Sequence, residues 1–223
     1  MHQSAGSKVA LGNLFVKVTP CVPFPSVVVP MTTAPYQSAP PPSFARPAMP
    51  ANEESRLAAL HALSLLDSGA DSRFDRLTEL AADFFTVPIA VVSLVDANRQ
   101  WFKSACGLSV KETPRDISFC GHAIHEEALL VVEDATLDPR FANNPLVLGP
   151  PHVCFYAGAV LRDVSSHAIG TLCLIDSKPR VFSEQDRRRL VSFGELVEQE
   201  VAHHTDILHL RGVLTQLELE TTL

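Results

Sequence analysis

Positive charge is in short supply in this chain. Eighteen Lys and Arg stand against 25 Asp and Glu, a formal net charge of −7, and a phosphate backbone needs a basic face to bind. Nucleic acid is therefore excluded as the expected partner. Runs of about eighteen uninterrupted apolar residues are also missing, so no transmembrane helix and no membrane partner are expected. Cysteine occurs five times, at Cys21, Cys106, Cys120, Cys154 and Cys173. The count is odd and the spacing is unlike a scaffold, which reads as reduced thiols of a cytoplasmic protein. Acid is absent at the start: no Asp or Glu precedes Glu53.

The same stretch is crowded with proline. Residues 1–50 hold ten of the 17 prolines, among them Pro40, Pro41, Pro42, Pro47 and Pro50, which forbid regular helix and remove backbone donors. Residues 1–51 read as a disordered leader. Its apolar patch, Val9 to Val29, is broken by Lys17, Pro20, Pro23 and Pro25 and makes a poor signal peptide. An acid-free leader also fits a transit peptide, but this one is short of Arg; a translation start at Met31 is the third alternative.

What is present from residue 52 on is one domain of ordinary size, with hydrophobic residues at 46% of the chain to build its core. Asn52 precedes Glu53 and Glu54, a good helix start, and Leu57, Leu60, Leu63, Leu65 and Leu66 continue the stripe to Asp67. After the break Ser68-Gly69-Ala70, Asp71 or Ser72 caps a second helix with Phe74, Leu77, Leu80, Ala81 and Phe84 on one face, ended by Pro88. Ile89–Val95 is a β-branched strand, Asp96–Asn98 turns it, and Gln100–Ala105 returns as its partner. Cys106–Phe119 has no clean period and is long for a connection, which suggests a binding loop. Cys120–Glu127 reads as a short helix and Leu129–Glu133 as a short strand. Cys154–Arg162 and His167–Asp176 form a hairpin across the polar link Asp163–Ser166. Ser183 caps a long helix that starts on Glu184 and Asp186 and runs to about Glu220. This order predicts an α+β fold, an antiparallel sheet with helices grouped mainly on one side and a long C-terminal helix.

Three blocks carry a resemblance: Asp138-Pro-Arg-Phe-Ala-Asn-Asn-Pro145; Phe155-Tyr-Ala-Gly-Ala159 followed by Ile169-Gly-Thr-Leu-Cys-Leu-Ile-Asp176; and Glu112-Thr-Pro-Arg-Asp-Ile-Ser-Phe-Cys-Gly-His-Ala-Ile124. In this order they resemble the GAF domains, small-molecule sensor modules of bacterial signalling proteins, over roughly Glu53 to Val201. The resemblance implies a sensor domain over 52–201 with a helical extension at 202–223. Its pocket would lie between a lid, Gly107–Ile124 and Asp134–Pro151, and a sheet floor including Phe155, Ala157, Thr171 and Cys173, depending on which alternate residues face inward. The candidate ligand-contacting residues are Trp101, Phe119, Cys120, His122, Asp134, Phe141, Phe155, Tyr156, Thr171 and Cys173. Tyr156, with its polar tip, is the aromatic most suited to touch a ligand. The alternative is that the same face is filled core.

Several sharper readings stand beside this one. Cys120-Gly-His122 with His125 offers zinc-type ligands, and His152 and Cys154 are candidates to join them. One helical turn, however, aims 120, 122 and 125 poorly at a single ion. A bilin-bearing Cys is usually followed directly by His, and here Gly121 intervenes. Pocket thiols also evoke the free-methionine sulfoxide reductases, with Cys120 at a helix start as the activated group, although the surrounding sequence does not match theirs. No metal, cofactor or catalysis is the expectation. Arg115 with Asp116, and Asp138 with Arg140, either pin loop to loop or receive an anion; related sequences often carry Arg where Cys154 stands, which weakens the anion reading. Gly158 and Gly170 sit in strands, where glycine marks a close approach.

In the last helix Leu190, Phe193 and Val197 are spaced three and four apart, and Ile207, Leu210, Leu214 and Leu217 repeat the pattern out of register with them, since Glu200, His204 and Arg211 fall in the seam. Gly212 costs about 1 kcal/mol against Ala. The helix is expected to pack on its own domain first and then extend as the seam of a homodimer, joining the sensor to an output-domain protein.

Overall fold

A computed structural model of the chain describes residues 44–220. The leader up to residue 43, including the Val9–Val29 patch and Cys21, lies outside the described residues. The elements run α1 (Glu53–Ala62), α2 (Ser72–Phe85), β1 (Ile89–Val95), β2 (Arg99–Cys106), β3 (Glu112–Pro114), a 3-10 turn at Arg115–Ile117, α3 (Phe119–Ala123), β4 (Leu129–Val132), α4 (Pro145–Leu148), β5 (Phe155–Arg162), β6 (Ala168–Asp176) and α5 (Glu184–Glu220). The six strands form one sheet in the order β3-β2-β1-β6-β5-β4, with every neighbouring pair antiparallel.

The central strands read as unbroken apolar runs because both faces of the sheet are covered. All seven residues of β1 are buried. On one face Ala90, Val92, Leu94, Trp101, Phe155, Ala157, Ala159 and Leu161 pack with Leu60 of α1, Phe74 and Ala81 of α2, and Leu190, Val197 and Val201 of α5. On the other, Val91, Tyr156, Val160 and Cys173 meet Phe119, Cys120, Phe141 and Val147 from the connecting loops. Three long helices thus share one side, and only the short α3 and α4 lie on the other.

Side-chain caps start several helices, although Asn52 makes no side-chain cap to α1. The Asp71 side chain accepts from the Arg73 amide and starts α2. Ser183 Oγ accepts the Asp186 amide and donates to its carboxylate at the start of α5. In the β5–β6 link, Asp163 Oδ1 accepts the amides of Ser165 and His167. Several elements differ from the sequence reading: α3 ends at Ala123 and not at Glu127, and α4 was not expected. Helix α1 ends at Ala62 because Ser64 and Asp67 take left-handed conformations. Part of the presumed binding loop is β3, whose three residues pair with Arg99–Trp101 and are too few to show a period. The first turn of order is also earlier than composition implied: residues 44–51, assigned to the disordered leader, are described here and packed against the domain, with Phe44 buried.

Among the described residues no helix is long and apolar enough to cross a membrane. Helix α5 spans 37 residues, or about 55 Å. Leu190, Val197 and Val201 are buried on its own domain, whereas Leu210, Val213, Leu214 and Leu217 are exposed.

The loops are held to this frame by a buried ion cluster. Arg56 donates from Nε and Nη2 to the Glu53 carboxylate, both at 2.8 Å, and from Nη1 to the Ala168 carbonyl. Arg115 donates to the same carboxylate and to the Asp96 carbonyl, the latter at 3.0 Å. Arg115 therefore pins α1 to the β1–β2 turn and does not pair with Asp116. Partial burial would raise the Glu53 carboxyl, but hydrogen bonds from Arg56 and then Arg115 outweigh it and hold the group at about 2, down from 4.5. A carboxyl depressed on folding stabilises the native state above its unfolded value and loses that contribution as pH falls through the folded one. Glu53→Gln is therefore expected to lower stability by about 3 kcal/mol at neutral pH, since it leaves two buried guanidiniums underpaired. The same change should flatten the acid dependence between pH 4.5 and 2; urea unfolding at neutral and acid pH checks both.

Candidate functional site

The site lies on the sheet face opposite the long helices. Val91 of β1, Tyr156 of β5 and Cys173 and Ile175 of β6 form its floor. They share a face because β6 pairs with β1 and β5 in register, Cys173 lying beside Val91 and Gly158. The lid comes from Phe119 and Cys120 of α3, Leu108 and Val110 after β2, and Leu146, Pro151 and Val153 around α4. What remains between floor and lid is a cavity of about 60 Å³ with almost wholly apolar walls.

Aromatic stacking closes one end. The Phe119 and Phe141 rings are parallel at 4.1 Å, and Tyr156 tilts against Phe119 at 5.1 Å. Tyr156 can reach under α3 because the next residue on its face is Gly158, where a Cβ would stand 2.2 Å from the phenol oxygen. A buried polar chain fixes the two lid segments to the sheet and to each other. Gln100 on β2 donates to Thr113 Oγ1 and accepts from Ser118 Oγ, both at 2.6 Å, and Ser118 Oγ accepts the Gly121 amide that starts α3. Asn144 caps α4 and donates from Nδ2 to the Ile117 carbonyl at 3.0 Å, tying the second lid segment to the first.

Under the stack lies a sulfur pair. Cys120 Sγ is 4.0 Å from Cys173 Sγ and 3.5 Å from the Tyr156 hydroxyl, which donates to it. Ser93 Oγ and Thr171 Oγ1 are buried on the same side. Neither has a hydrogen-bond partner among the described residues, yet both dipoles bear on the Cys120 sulfur. The hydrogen bond between the two thiols, opposed by burial and aided by Thr171, Tyr156 and Ser93, makes Cys120 the more acidic of the pair. Cys173, hydrogen-bonded to Cys120 and fully buried, is pushed well up, and burial with two adjacent sulfurs keeps the Tyr156 phenol protonated.

The sequence-derived candidates therefore divide. Phe119, Cys120, Tyr156 and Cys173 line the cavity, Phe141 backs Phe119, and Thr171 lies beneath Cys120. Trp101 and Phe155 do not belong to the site. Strand alternation sends both to the helix face, where Phe155 contacts the Phe182 ring, and Ala157 goes the same way. Asp134 is spent on its own turn, accepting the amide and hydroxyl of Thr136. The Asp138–Arg140 pair closes within one loop. Gln100, Ser118 and Asn144 were not singled out by sequence, since an isolated polar residue in a strand or loop has no pattern; Ser118 alone offered a signal, as a cap before α3. Among the described residues no three His, Cys, Asp or Glu side chains converge as metal ligands do.

His122 and His125 face outward. They reach residues 44–51, which run as a strap over the lid. His122 Nε2 is 3.0 Å from the Ala45 carbonyl and His125 Nε2 is 2.9 Å from that of Ala48. The Ala45 amide donates to the Arg140 carbonyl, and Arg46 pairs with Asp116. Desolvation under the strap lowers the His122 pKa below its usual range, against the pull of the Ala45 carbonyl. Pro47 lies flat on Gly121, where an added Cβ would come within 2.8 Å of its ring.

The sequence profile of the GAF domain matches residues 70–201. A cyclic di-GMP phosphodiesterase of Pseudomonas aeruginosa is 44% identical over 154 residues, 69% of this chain but 26% of that protein. The chain thus spans about a quarter of that relative's length. The GAF domain of an Acinetobacter phosphoenolpyruvate-protein phosphotransferase superposes with a TM-score of 0.51 at 18% identity, covering 70% of this chain and 98% of that one. A free methionine-R-sulfoxide reductase from Neisseria meningitidis, solved with its substrate, gives 0.51 at 16%, covering 74% and 99%. These structural likenesses establish the fold.

Gly121→Ala is expected to lift the strap from the lid at a cost of about 1–3 kcal/mol. Hydrogen exchange at the Ala45 amide should accelerate while the β5 and β6 amides stay protected; unchanged Ala45 protection would show the strap to be independent of this contact.

Proposed function

The chain belongs to the GAF domain family, whose membership supports a sensor role in signalling, and on that premise we propose that it is a non-catalytic regulatory module. A small molecule binds between lid and floor, and the change passes to α5. One observation carries this reading: β5 serves both sides. Tyr156 and Val160 face the lid, while Phe155, Ala159 and Leu161, interleaved with them, pack toward α5. An Ala159 methyl lies 3.1 Å from where a Cβ at Gly194 of α5 would be, and Glu198 of α5 accepts the Arg162 amide at 2.6 Å. The sensing face and the output helix are one strand apart. A ligand shifts that equilibrium only by binding one arrangement of lid and strand better than the other.

The guest is small and mostly apolar. Ligand sites for drug-sized molecules run to roughly 300 Å³ and more, well beyond this cavity, so a larger guest requires the Phe119–Phe141 stack to part. That size also weighs against methionine sulfoxide turnover, despite the thiol pair; reduction of free methionine sulfoxide with a dithiol donor would overturn the regulatory reading. The exposed Leu210, Leu214 and Leu217 stripe fits a parallel homodimer of α5, and an output-domain protein is its natural continuation. Cyclic di-GMP hydrolysis is the output to test first, because the Pseudomonas relative bears that activity in its name.

Thermal unfolding against a panel of small metabolites, with native mass spectrometry of the freshly purified chain, tests the pocket. A guest that binds only the folded state at a hundredfold excess over its Kd adds about 2.7 kcal/mol. The expected result is a raised midpoint that disappears in Tyr156→Phe; no shift across the panel and no retained mass would favour a ligand-free scaffold. Sedimentation tests the helix: the native chain should run as a dimer and Leu214→Glu as a monomer.

A further inference from the structure

The proposed sensor role leaves the buried thiols unused. Cys120 and Cys173 are 53 residues apart in sequence and come from opposite walls, one on the lid helix α3 and one on the floor strand β6. Their sulfurs are 4.0 Å apart. A disulfide needs about 2.0 Å, so each sulfur has roughly 1 Å to travel, within reach of small side-chain rotations. Both border the cavity, and a water needs only about 10–15 Å³ of such space. A molecule of two oxygen atoms fits beside the sulfurs without parting the lid, while the apolar walls favour a neutral one. The Tyr156 hydroxyl points at Cys120, and the hydroxyls of Ser93 and Thr171 are buried against the pair with no other partner among the described residues. The remaining cysteines among the described residues are placed differently. Cys106 packs on the helix face, and Cys154 is half-exposed, with burial and then Asp134 and Asp176 opposing its ionisation.

We propose that Cys120 and Cys173 are a peroxide-reactive dithiol that closes into a reversible disulfide between lid and floor. Cys120 sulfur attacks one oxygen of hydrogen peroxide. The O–O bond breaks, the thiol proton goes to the departing hydroxide, and water leaves Cys120 as a sulfenic acid. Cys173 sulfur then attacks the Cys120 sulfur, forming the S–S bond and breaking S–O; its thiol proton joins the departing hydroxide as a second water. The two thiols lose two electrons and the peroxide gains them. A dithiol reductant reverses the cross-link by exchange. The product fastens α3 to β6, beside the strand that carries α5, so oxidation acts on the element a bound guest would also move. The chemistry requires no guest and stands apart from the ligand reading.

The test treats the reduced full chain with hydrogen peroxide, titrates its thiols and maps its peptides without reduction. The expected result is the loss of two thiols per chain, a cross-link joining the peptides of Cys120 and Cys173, and full recovery with dithiothreitol. Cys154→Ser should lose two thiols as well. Cys173→Ser should stop at a Cys120 sulfenic acid that dimedone captures, and Cys120→Ser should form no cross-link. Retention of all thiols by the native chain, or a cross-link through Cys154 or Cys106, would overturn the proposal. The peptide map of the unsubstituted chain separates these outcomes even if a serine variant fails to fold.

Discussion

Much of the site depends on one carboxylate. Glu53 stands between two guanidiniums that are almost entirely removed from water, Arg56 at 1% and Arg115 at 3% exposure. A buried charge without a partner is among the costliest features a fold can contain, so α1 cannot leave without stranding Arg115. Arg56 ties the cluster to β6 through the Ala168 carbonyl and Arg115 ties it to the β1–β2 turn. From Arg115 the chain has only a short 3-10 turn before Ser118 and Cys120. The position of the sulfur pair is therefore inherited from an ion cluster at one end of the central strands.

The lid is made of two segments with little regular structure of their own. Each is placed by a buried side-chain hydrogen bond: Ser118 to Gln100 on the sheet, Asn144 to the Ile117 carbonyl across the lid. Such bonds contribute modestly when made and cost more when a partner is removed. The lid is thus held in one arrangement by a few directional contacts and by ring stacking, whereas the sheet beneath is covered on both faces.

The strap at residues 44–51 adds a third layer. Proline there does two things at once: it prevents helix, and it presents a rigid flat ring to Gly121 on α3. Composition registers the first effect and reads disorder, because the proline-rich stretch has few residues able to form a core. It cannot register the second, which requires a glycine, two imidazoles and the Arg140 carbonyl gathered from far along the chain.

Sequence by itself determined the order of the main elements, though not β3 or α4, the antiparallel α+β class and the dense blocks around Cys120 and Tyr156, because helix caps, β-branched runs and turn residues act over a few neighbours. It also brought Phe119, Phe141 and Tyr156 forward as one aromatic group. Only the tertiary structure decided which face each strand residue took. Strand side chains alternate, and in a sheet covered on both sides the alternation carries no polar mark, so Trp101 and Phe155 stood as candidates beside Tyr156 until the helices claimed them. The resemblance put Cys120 and Cys173 at one pocket, but their 4.0 Å contact, like that of Glu53 with Arg115, was not legible: those contacts span long loops, and their geometry exists only once the sheet has set its register.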